Sequence, residues 1–179
     1  MRVGIGYDVH RVGADRPLRL GGVEFPGEPG LVGHSDADPV LHAVADAILG
    51  AAALGDIGEH FPDTDPRWAG ADSAVILADA ARIALEQAGL RPANVDVNVV
   101  AERPRQGARK REMRERLAAI LDMPFECVSV KARTAEGLGP VGRGEAIEVQ
   151  AVVLMEAAAP PGGAKCRPTG SAPIESRRE

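Results

Sequence analysis

The chain has 179 residues, a formal net charge of -5 and a pI of about 5.4. This length fits one domain with a sizeable core, and the acidic balance excludes the overall basic field that attracts nucleic acid or anionic lipid. Two cysteines, Cys127 and Cys166, give no disulfide framework. No stretch resembles a signal peptide or a membrane-spanning helix, so we expect a cytoplasmic protein that binds neither nucleic acid nor membrane.

The hydrophobic pattern predicts an alternation of strands and helices. Strands are predicted at residues 2–11, 94–102, 126–133 and 146–156, with a short strand or hairpin at 18–30 that glycines and prolines interrupt. Helices are predicted at residues 38–54, 71–89 and 110–123. This alternation favours an α/β or α+β fold, with a mostly four-stranded sheet and helices packed on one face.

The composition changes abruptly after Glu156. Residues 157–179 are rich in Pro, Gly, Ser and Ala and carry almost nothing that a core could bury. We therefore expect one domain at residues 1–156 and a disordered tail at 157–179.

The first strand carries an acid and an imidazole two positions apart, in the stretch "GYDVH" at residues 6–10. Side chains alternate along a strand, so Asp8 and His10 project from the same face and form two adjacent candidate metal ligands. The alternative is that both merely share the solvent face of an edge strand.

A third candidate ligand lies on the first predicted helix. His42 and Asp46 are four residues apart and so share one helix face. His42 can join the Asp8 and His10 pair, with Asp46 as a possible outer partner. One Asp and two His leave a tetrahedral position open, as catalytic zinc sites do. Alternatively, His42 is an ordinary core or surface histidine.

Further candidates lie in loops. His34 precedes a helix N-terminus, where backbone N–H groups favour an anion. Arg105 stands in a strand-to-helix loop and is a phosphate-binding candidate. In the stretch "KARTAEGLGPVGRGE" at residues 131–145, polar side chains lie among glycines that let the backbone approach a ligand.

Four motifs in this order resemble the 2-C-methyl-D-erythritol 2,4-cyclodiphosphate synthase family: "GYDVHR", "LVGHSDADPVLHAVADAILGAAALGDIGEHFPDTDP", "GADS" and "GRGEAI". The resemblance covers residues 1 to about 156. It implies an α/β subunit that assembles as a homotrimer with active sites between subunits. The implied reaction converts 4-diphosphocytidyl-2-C-methyl-D-erythritol 2-phosphate into the cyclic diphosphate and CMP, in the non-mevalonate isoprenoid precursor pathway.

The resemblance also implies two metal ions, one zinc per chain and a second divalent cation, Mg²⁺ or Mn²⁺. The implied zinc ligands are Asp8, His10 and His42, and the implied ligand of the second ion is Glu136. His34 and Thr134 resemble the residues that stabilise the transition state.

A substrate pocket is implied in the same way, with loops for the methylerythritol part and others for the cytidine and diphosphate. The implied substrate-binding residues are Asp8, Val9, His10, His34, Ser35, Asp56, Ile57, Gly58, Phe61, Pro62, Asp63, Thr64, Asp65, Ala101, Glu102, Arg103, Pro104, Arg105, Gln106, Gly107, Arg133, Thr134, Ala135, Glu136, Pro140 and Arg143.

The sequence departs from the family pattern at a few of these positions. Arg133 and Ala135 replace common hydroxyl residues, Pro140 replaces a bulky apolar residue, and Arg105 replaces a frequent lysine. Two other functions fit the same candidate residues. One is a metal-dependent phosphohydrolase that uses water as the nucleophile, and the other is a metal- or nucleotide-binding protein without turnover.

Overall fold

The computed structural model describes residues 1–158. Of the predicted tail, the described part includes Ala157, which ends the last strand, and Ala158, whose N–H donates to the carbonyl of Gly89 at 2.8 Å. The remainder of that prediction, residues 159–179, lies outside the described residues.

Five strands of residues 1–158 form one sheet. The strands are β1 (Arg2–Leu20), β2 (Val23–Leu31), β3 (Leu90–Val100), β4 (Val128–Arg133) and β5 (Ala146–Ala157). Their order in the sheet is β2-β1-β5-β3-β4, and only β3 and β4 of these neighbours run parallel. The mixed α/β class is confirmed, but the expectation of a mostly four-stranded sheet is wrong.

The fifth strand is β2, which overlaps the segment predicted as a short strand or hairpin at residues 18–30 and forms a hairpin with β1. The backbone φ angles of Gly21 and Gly22 are 62° and 73°, which suit the two-residue turn that joins two antiparallel strands. Pro17 and Pro29 are tolerated because β1 pairs with β5 only over residues 2–11, and because β2 lies at the sheet edge. These residues hid the strand pattern in the sequence.

Helices cover one side of the sheet. They are α1 (Pro39–Ala52), α2 (Ile57–His60), α3 (Ser73–Ala88), α4 (Lys110–Ile120) and α5 (Gly139–Gly142). The three predicted helices are confirmed as α1, α3 and α4. Helix α1 packs on β1 and β5, α3 packs on α1, and α4 packs on β4. In the part of the chain that the structure describes, no helix has the length and apolar character needed to cross a membrane.

The first turn of α1 is fixed by the buried Asp38. Its carboxylate accepts hydrogen bonds from the N–H groups of Val40 and Leu41, at 3.0 and 3.3 Å. It also accepts from Gly21 and Gly22 in the hairpin turn, at 2.9 and 2.6 Å. One side chain therefore caps the helix, as the sequence predicts, and ties it to the β1–β2 hairpin. This connection positions the next turn of α1 over β1.

Candidate metal centre and active site

Strand β1 and helix α1 bring three candidate ligands together. One ligand atom each from Asp8, His10 and His42 lies within 4.8 Å of the others. The Oδ2 atom of Asp8 is 3.0 Å from Nε2 of His10 and 3.0 Å from Nδ1 of His42. The other carboxylate oxygen of Asp8 accepts the N–H of Val9 at 2.8 Å. The predicted grouping is confirmed.

In each histidine, the ring nitrogen that points away from Asp8 has a hydrogen-bond partner of its own. Nδ1 of His10 lies 2.7 Å from the carbonyl of Val32, which only accepts, so Nδ1 carries a hydrogen and Nε2 is the nitrogen that would bind a cation. Nε2 of His42 lies 2.8 Å from the hydroxyl of Ser73 and 2.9 Å from that of Ser35. A donor set of one carboxylate and two oriented imidazoles fits a zinc site with an open position.

The charges in this cluster favour a bound cation. Burial opposes ionisation of Asp8, but hydrogen bonds from His10 and His42, together with their charge, lower its pKa to about 2. Burial likewise opposes protonation of His10, but the hydrogen bond and charge of Asp8 outweigh it and raise the pKa of His10. The carboxylate is therefore ionised at neutral pH and offers negative charge to a metal ion.

The expectation that Asp46 is the outer partner of His42 is wrong. Asp46 instead accepts the N–H of Ile57 at 2.7 Å. Burial raises the pKa of Asp46, and the negative charges of Asp56 and Asp8 add to this effect. Asp46 thus connects the loop that begins at Asp56 to α1, one turn after His42.

His34 lies on an exposed loop beside the metal ligands. The Arg16 guanidinium donates to the carbonyls of Gly33 and Ser35, which flank His34 in the chain. A Cβ at Gly33 would lie 2.8 Å from Cε1 of His10, so the loop runs against that ligand. Sequence reasoning missed Arg16, because its partners lie 17 and 19 residues away.

The predicted methylerythritol loops follow α1. Asp56 caps α2 through its side chain. The Phe61 ring is buried and meets the Trp68 ring edge-on at 5.0 Å between centroids. Asp65 forms an ion pair with Arg67 at 2.5 Å. These contacts, together with the hydrogen bond from Ile57 to Asp46, hold residues 56–65 against α1.

A second polar group lies in the loop after β4. The hydroxyl of Thr134 donates to the carboxylate of Glu136, and both side chains are exposed. Glu102 supports this loop by accepting the N–H groups of Ala135 and Gly137 at 3.0 and 3.3 Å. Sequence reasoning placed Glu102 among the substrate-binding residues but did not predict this supporting contact.

The predicted nucleotide loop, residues 101–107, reaches the same end of β4. The N–H of Ala101 donates to the carbonyl of Arg133 at 3.0 Å, which joins the two stretches. Gln106 is buried, while Arg105 is exposed and free to meet a ligand. Arg143, further along, is exposed and forms an ion pair with Glu145 at 2.8 Å.

Within one chain the two polar groups are far apart. Asp8 pairs with Val149 on β5, Val149 pairs with Val99 on β3, and Val99 pairs with Ala132 on β4. Asp8 and Ala132 therefore lie in line across the sheet, on β1 and β4. Three strand spacings, or about 14 Å, separate them. Among the described residues, the Thr134 hydroxyl hydrogen-bonds to Glu136 and not to Asp8, His10 or His42.

A mixed α/β domain with an open Asp-His-His cluster belongs to the class of proteins that can use a metal ion in catalysis. The YgbB family model matches residues 1–156. The chain belongs to the YgbB family.

Relatives with high sequence identity have a specific activity in their names. The chain is 53% identical to 2-C-methyl-D-erythritol 2,4-cyclodiphosphate synthase of Salinibacter ruber, over 88% of this chain and 100% of that protein. It is 55% identical to the synthase of Geobacter sulfurreducens, over 87% of this chain and 99% of that protein.

Solved structures give the same result for the fold. A synthase structure in its CDP-bound form matches with a TM-score of 0.79 and 37% identity, covering 87% of this chain and all of that chain. The bifunctional IspDF from Campylobacter jejuni matches with a TM-score of 0.82 and 41% identity, covering 86% of this chain and 42% of that longer chain.

Proposed function

We propose that this chain is a metal-dependent cyclising lyase. It converts 4-diphosphocytidyl-2-C-methyl-D-erythritol 2-phosphate into 2-C-methyl-D-erythritol 2,4-cyclodiphosphate and CMP, a step of the non-mevalonate isoprenoid precursor pathway. The observation that carries this function is the Asp8, His10 and His42 cluster, found in a chain 53% identical over 158 residues to a protein named for this activity.

The reaction needs alignment and charge neutralisation but no protein nucleophile. An oxygen of the substrate's own 2-phosphate attacks the β-phosphorus, and the bond from that phosphorus to the CMP oxygen breaks. Residues that hold both phosphates in line therefore supply most of the catalysis. When bound, zinc at Asp8, His10 and His42 and a second divalent cation, Mg²⁺ or Mn²⁺, at Glu136 would polarise phosphate oxygens and offset the charge on CMP.

His34 and Thr134 are the proposed stabilisers of the transition state. His34 is exposed, and the contacts of Arg16 to its neighbours limit its movement. The Thr134 hydroxyl donates to Glu136 in the free chain, and it would turn to a phosphate oxygen when substrate is bound. The loop at residues 56–65 would hold the methylerythritol part, and residues 101–107 with 133–136 would hold the cytidine diphosphate part.

The proposal includes a homotrimer with active sites between subunits. Asp8 and Ala132, two residues before Thr134, are about 14 Å apart across the sheet of one chain, which supports a site built from the metal ligands of one copy and Thr134 of another. An apolar stripe on the outer face of β1 supports such an assembly: Val3, Ile5, Tyr7 and Val9 are 65%, 72%, 53% and 47% exposed.

The products of the reaction test the proposal. The purified full chain is incubated with the diphosphocytidyl substrate, Zn²⁺ and Mg²⁺, and the products are separated by chromatography and identified by ³¹P NMR. We expect CMP and the cyclic diphosphate in equal amounts. CMP with a linear phosphate would indicate a hydrolase, and zinc uptake without CMP release would indicate a binding protein.

The role of Thr134 is tested by matched variants. Thr134→Ala should retain zinc, fold and trimer, while turnover falls on the order of a hundredfold and KM changes little, because the lost donor acts mainly in the transition state. Thr134→Ser keeps the hydroxyl and should recover most of the turnover. Near wild-type turnover in Thr134→Ala would remove Thr134 from the mechanism.

A further inference from the structure

Nε2 of His42, the ring nitrogen that points away from Asp8, lies close to two buried hydroxyls. Ser73, the first residue of α3, is 0% exposed, and its Oγ lies 2.8 Å from Nε2 of His42. Ser35 is 5% exposed, and its Oγ lies 2.9 Å from the same nitrogen. When Nδ1 of His42, which faces Asp8, binds a cation, Nε2 keeps the ring hydrogen and donates to these hydroxyls.

The hydrogen bonds continue beyond Ser73 to a carboxylate. The hydroxyl of Ser73 donates to Oδ1 of Asp36, which as a carboxylate only accepts. The donor and acceptor of each hydrogen bond are therefore fixed in this series: His42 donates to Ser73, and Ser73 donates to Asp36. Asp36 is itself anchored, since its N–H donates to the carbonyl of Ala71 at 3.0 Å.

Ser35 differs from Ser73 in this respect. Its Oγ accepts the N–H of Ala37 at 3.2 Å and lies 3.1 Å from Oγ of Ser73. Among the described residues, the hydroxyl of Ser35 forms no hydrogen bond with a carboxylate. Ser73 is thus the hydroxyl that connects the histidine to a negative charge.

We propose that Ser73 and Asp36 are positioning residues that orient His42 and strengthen it as a metal ligand. The arrangement is a carboxylate–histidine–metal series with one hydroxyl inserted, and the carboxylate makes the imidazole a better donor to the metal. This inference rests on the proposed metal site. It also gives a role to the "GADS" motif at residues 70–73, since the motif places Ser73 at the start of α3 against α1.

The experiment measures zinc affinity without substrate, by competition with a chelator, on the metal-stripped full chain at fixed pH. Ser73→Ala should weaken zinc binding about 10- to 100-fold. Ser73→Thr keeps the hydroxyl and should bind zinc nearly as wild type does. Asp72→Ala is the matched control: it removes the cap of the same helix without touching His42, so zinc affinity should stay unchanged.

A double variant tests whether the two residues act in series. Asp36→Asn alone should weaken zinc binding several-fold, and in the Ser73→Ala background it should have little further effect, because Asp36 reaches His42 through Ser73. Asp36 is partly exposed, so Asp36→Asn carries the test if Ser73→Ala does not fold. Cobalt(II) absorption spectra should show a changed ligand field in both variants.

The possible outcomes separate this inference from the proposed function. Wild-type zinc affinity in Ser73→Ala, or additive losses in the double variant, would overturn the series from His42 to Asp36 and leave the metal site intact. A wild-type chain that takes up no zinc would overturn the metal site and this inference with it.

Discussion

Gly6 of β1 lies directly against Ala43 of α1: a Cβ built on Gly6 would be 1.9 Å from the carbonyl oxygen of Ala43. Gly4 has the same relationship to the carbonyl of Ala47, at 1.9 Å. The two glycines alternate with outward-facing residues, so the inner face of β1 runs Gly4, Gly6, Asp8. The helix can therefore approach the strand backbone closely, which brings His42 within reach of Asp8.

A methyl group at Gly6 should separate the two elements. Overpacking typically costs 1–3 kcal/mol, and because the clash is with backbone, we expect Gly6→Ala to lower the free energy of unfolding by about 3 kcal/mol. Chemical denaturation measures it. Gly50→Ala is the control, since a Cβ there meets nothing within 4 Å and should stabilise α1 by about 0.5–1 kcal/mol. Equal stability of the two variants would contradict the close-packing argument.

The cap of α1 should matter more than the cap of α3. Asp38→Ala removes the acceptor of four backbone N–H groups, two of them in the hairpin turn, and we expect a loss of about 3 kcal/mol in unfolding free energy. Asp72→Ala removes one exposed bond, to Ala74 N at 2.8 Å, and should cost about 1 kcal/mol. Thermal or denaturant unfolding of both variants gives the comparison. A similar cost at both positions would mean that Asp38 does not hold the hairpin.

The features that the sequence predicts are those with a local cause. Asp8 and His10 share a face because of strand alternation alone, and His42 lies at a predicted helix start that Asp38 caps. The contact of His42 with Ser73 spans 31 residues and depends on how α3 packs on α1. No periodic pattern in the sequence predicts how α3 packs on α1. The "GADS" motif is therefore visible in the sequence, but the contact of its Ser73 with His42 is not.

The sequence marks the strand at Val23–Leu31 only weakly, as a short strand or hairpin, for a different physical reason. Segment 18–30 carries turn residues at many positions, and its pairing with β1 is irregular, so it has little of the alternation that marks a strand. In the first part of β1, the larger apolar side chains point outward and glycines point inward. Hydrophobic alternation along this strand would therefore assign the wrong face of β1 to the core of a single chain.

The outward apolar stripe of β1 leads to a prediction about assembly. If Ile5, which is 72% exposed in the single chain, is buried between copies, then Ile5→Asp should place an unpaired charge there and dissociate the proposed trimer. Analytical ultracentrifugation of wild type and variant measures this. Val75→Asp is the control, because Val75 is 52% exposed on α3, on the helix side of the sheet. A variant at Ile5 that sediments as wild type would exclude this face from the interface.

In the metal-free protein, Asp8 and His10 together should stabilise the fold most in mildly acidic solution. The pKa of Asp8 is about 2 in the folded chain, against an ordinary value of 3.8. A lowered folded pKa stabilises the protein above the ordinary value, and this contribution is lost as the pH falls from about 4 toward 2. The pKa of His10 is raised above its ordinary value of 6.5, so its contribution is complete below pH 6.5 and is lost as the pH rises through the folded pKa.

Asp8→Asn removes the charge on which both shifts depend. We expect wild type to exceed this variant by about 2 kcal/mol in unfolding free energy between pH 5 and 6, with a smaller difference at pH 2 and at pH values above the folded pKa of His10. Urea unfolding of the metal-stripped chains across this range measures the difference. Asp15→Asn, a charge change at an exposed position of β1, controls for net charge. A difference between wild type and Asp8→Asn that does not vary with pH would show that the carboxylate and the two histidines are not electrostatically coupled in solution, and that the cluster needs the metal ion to form.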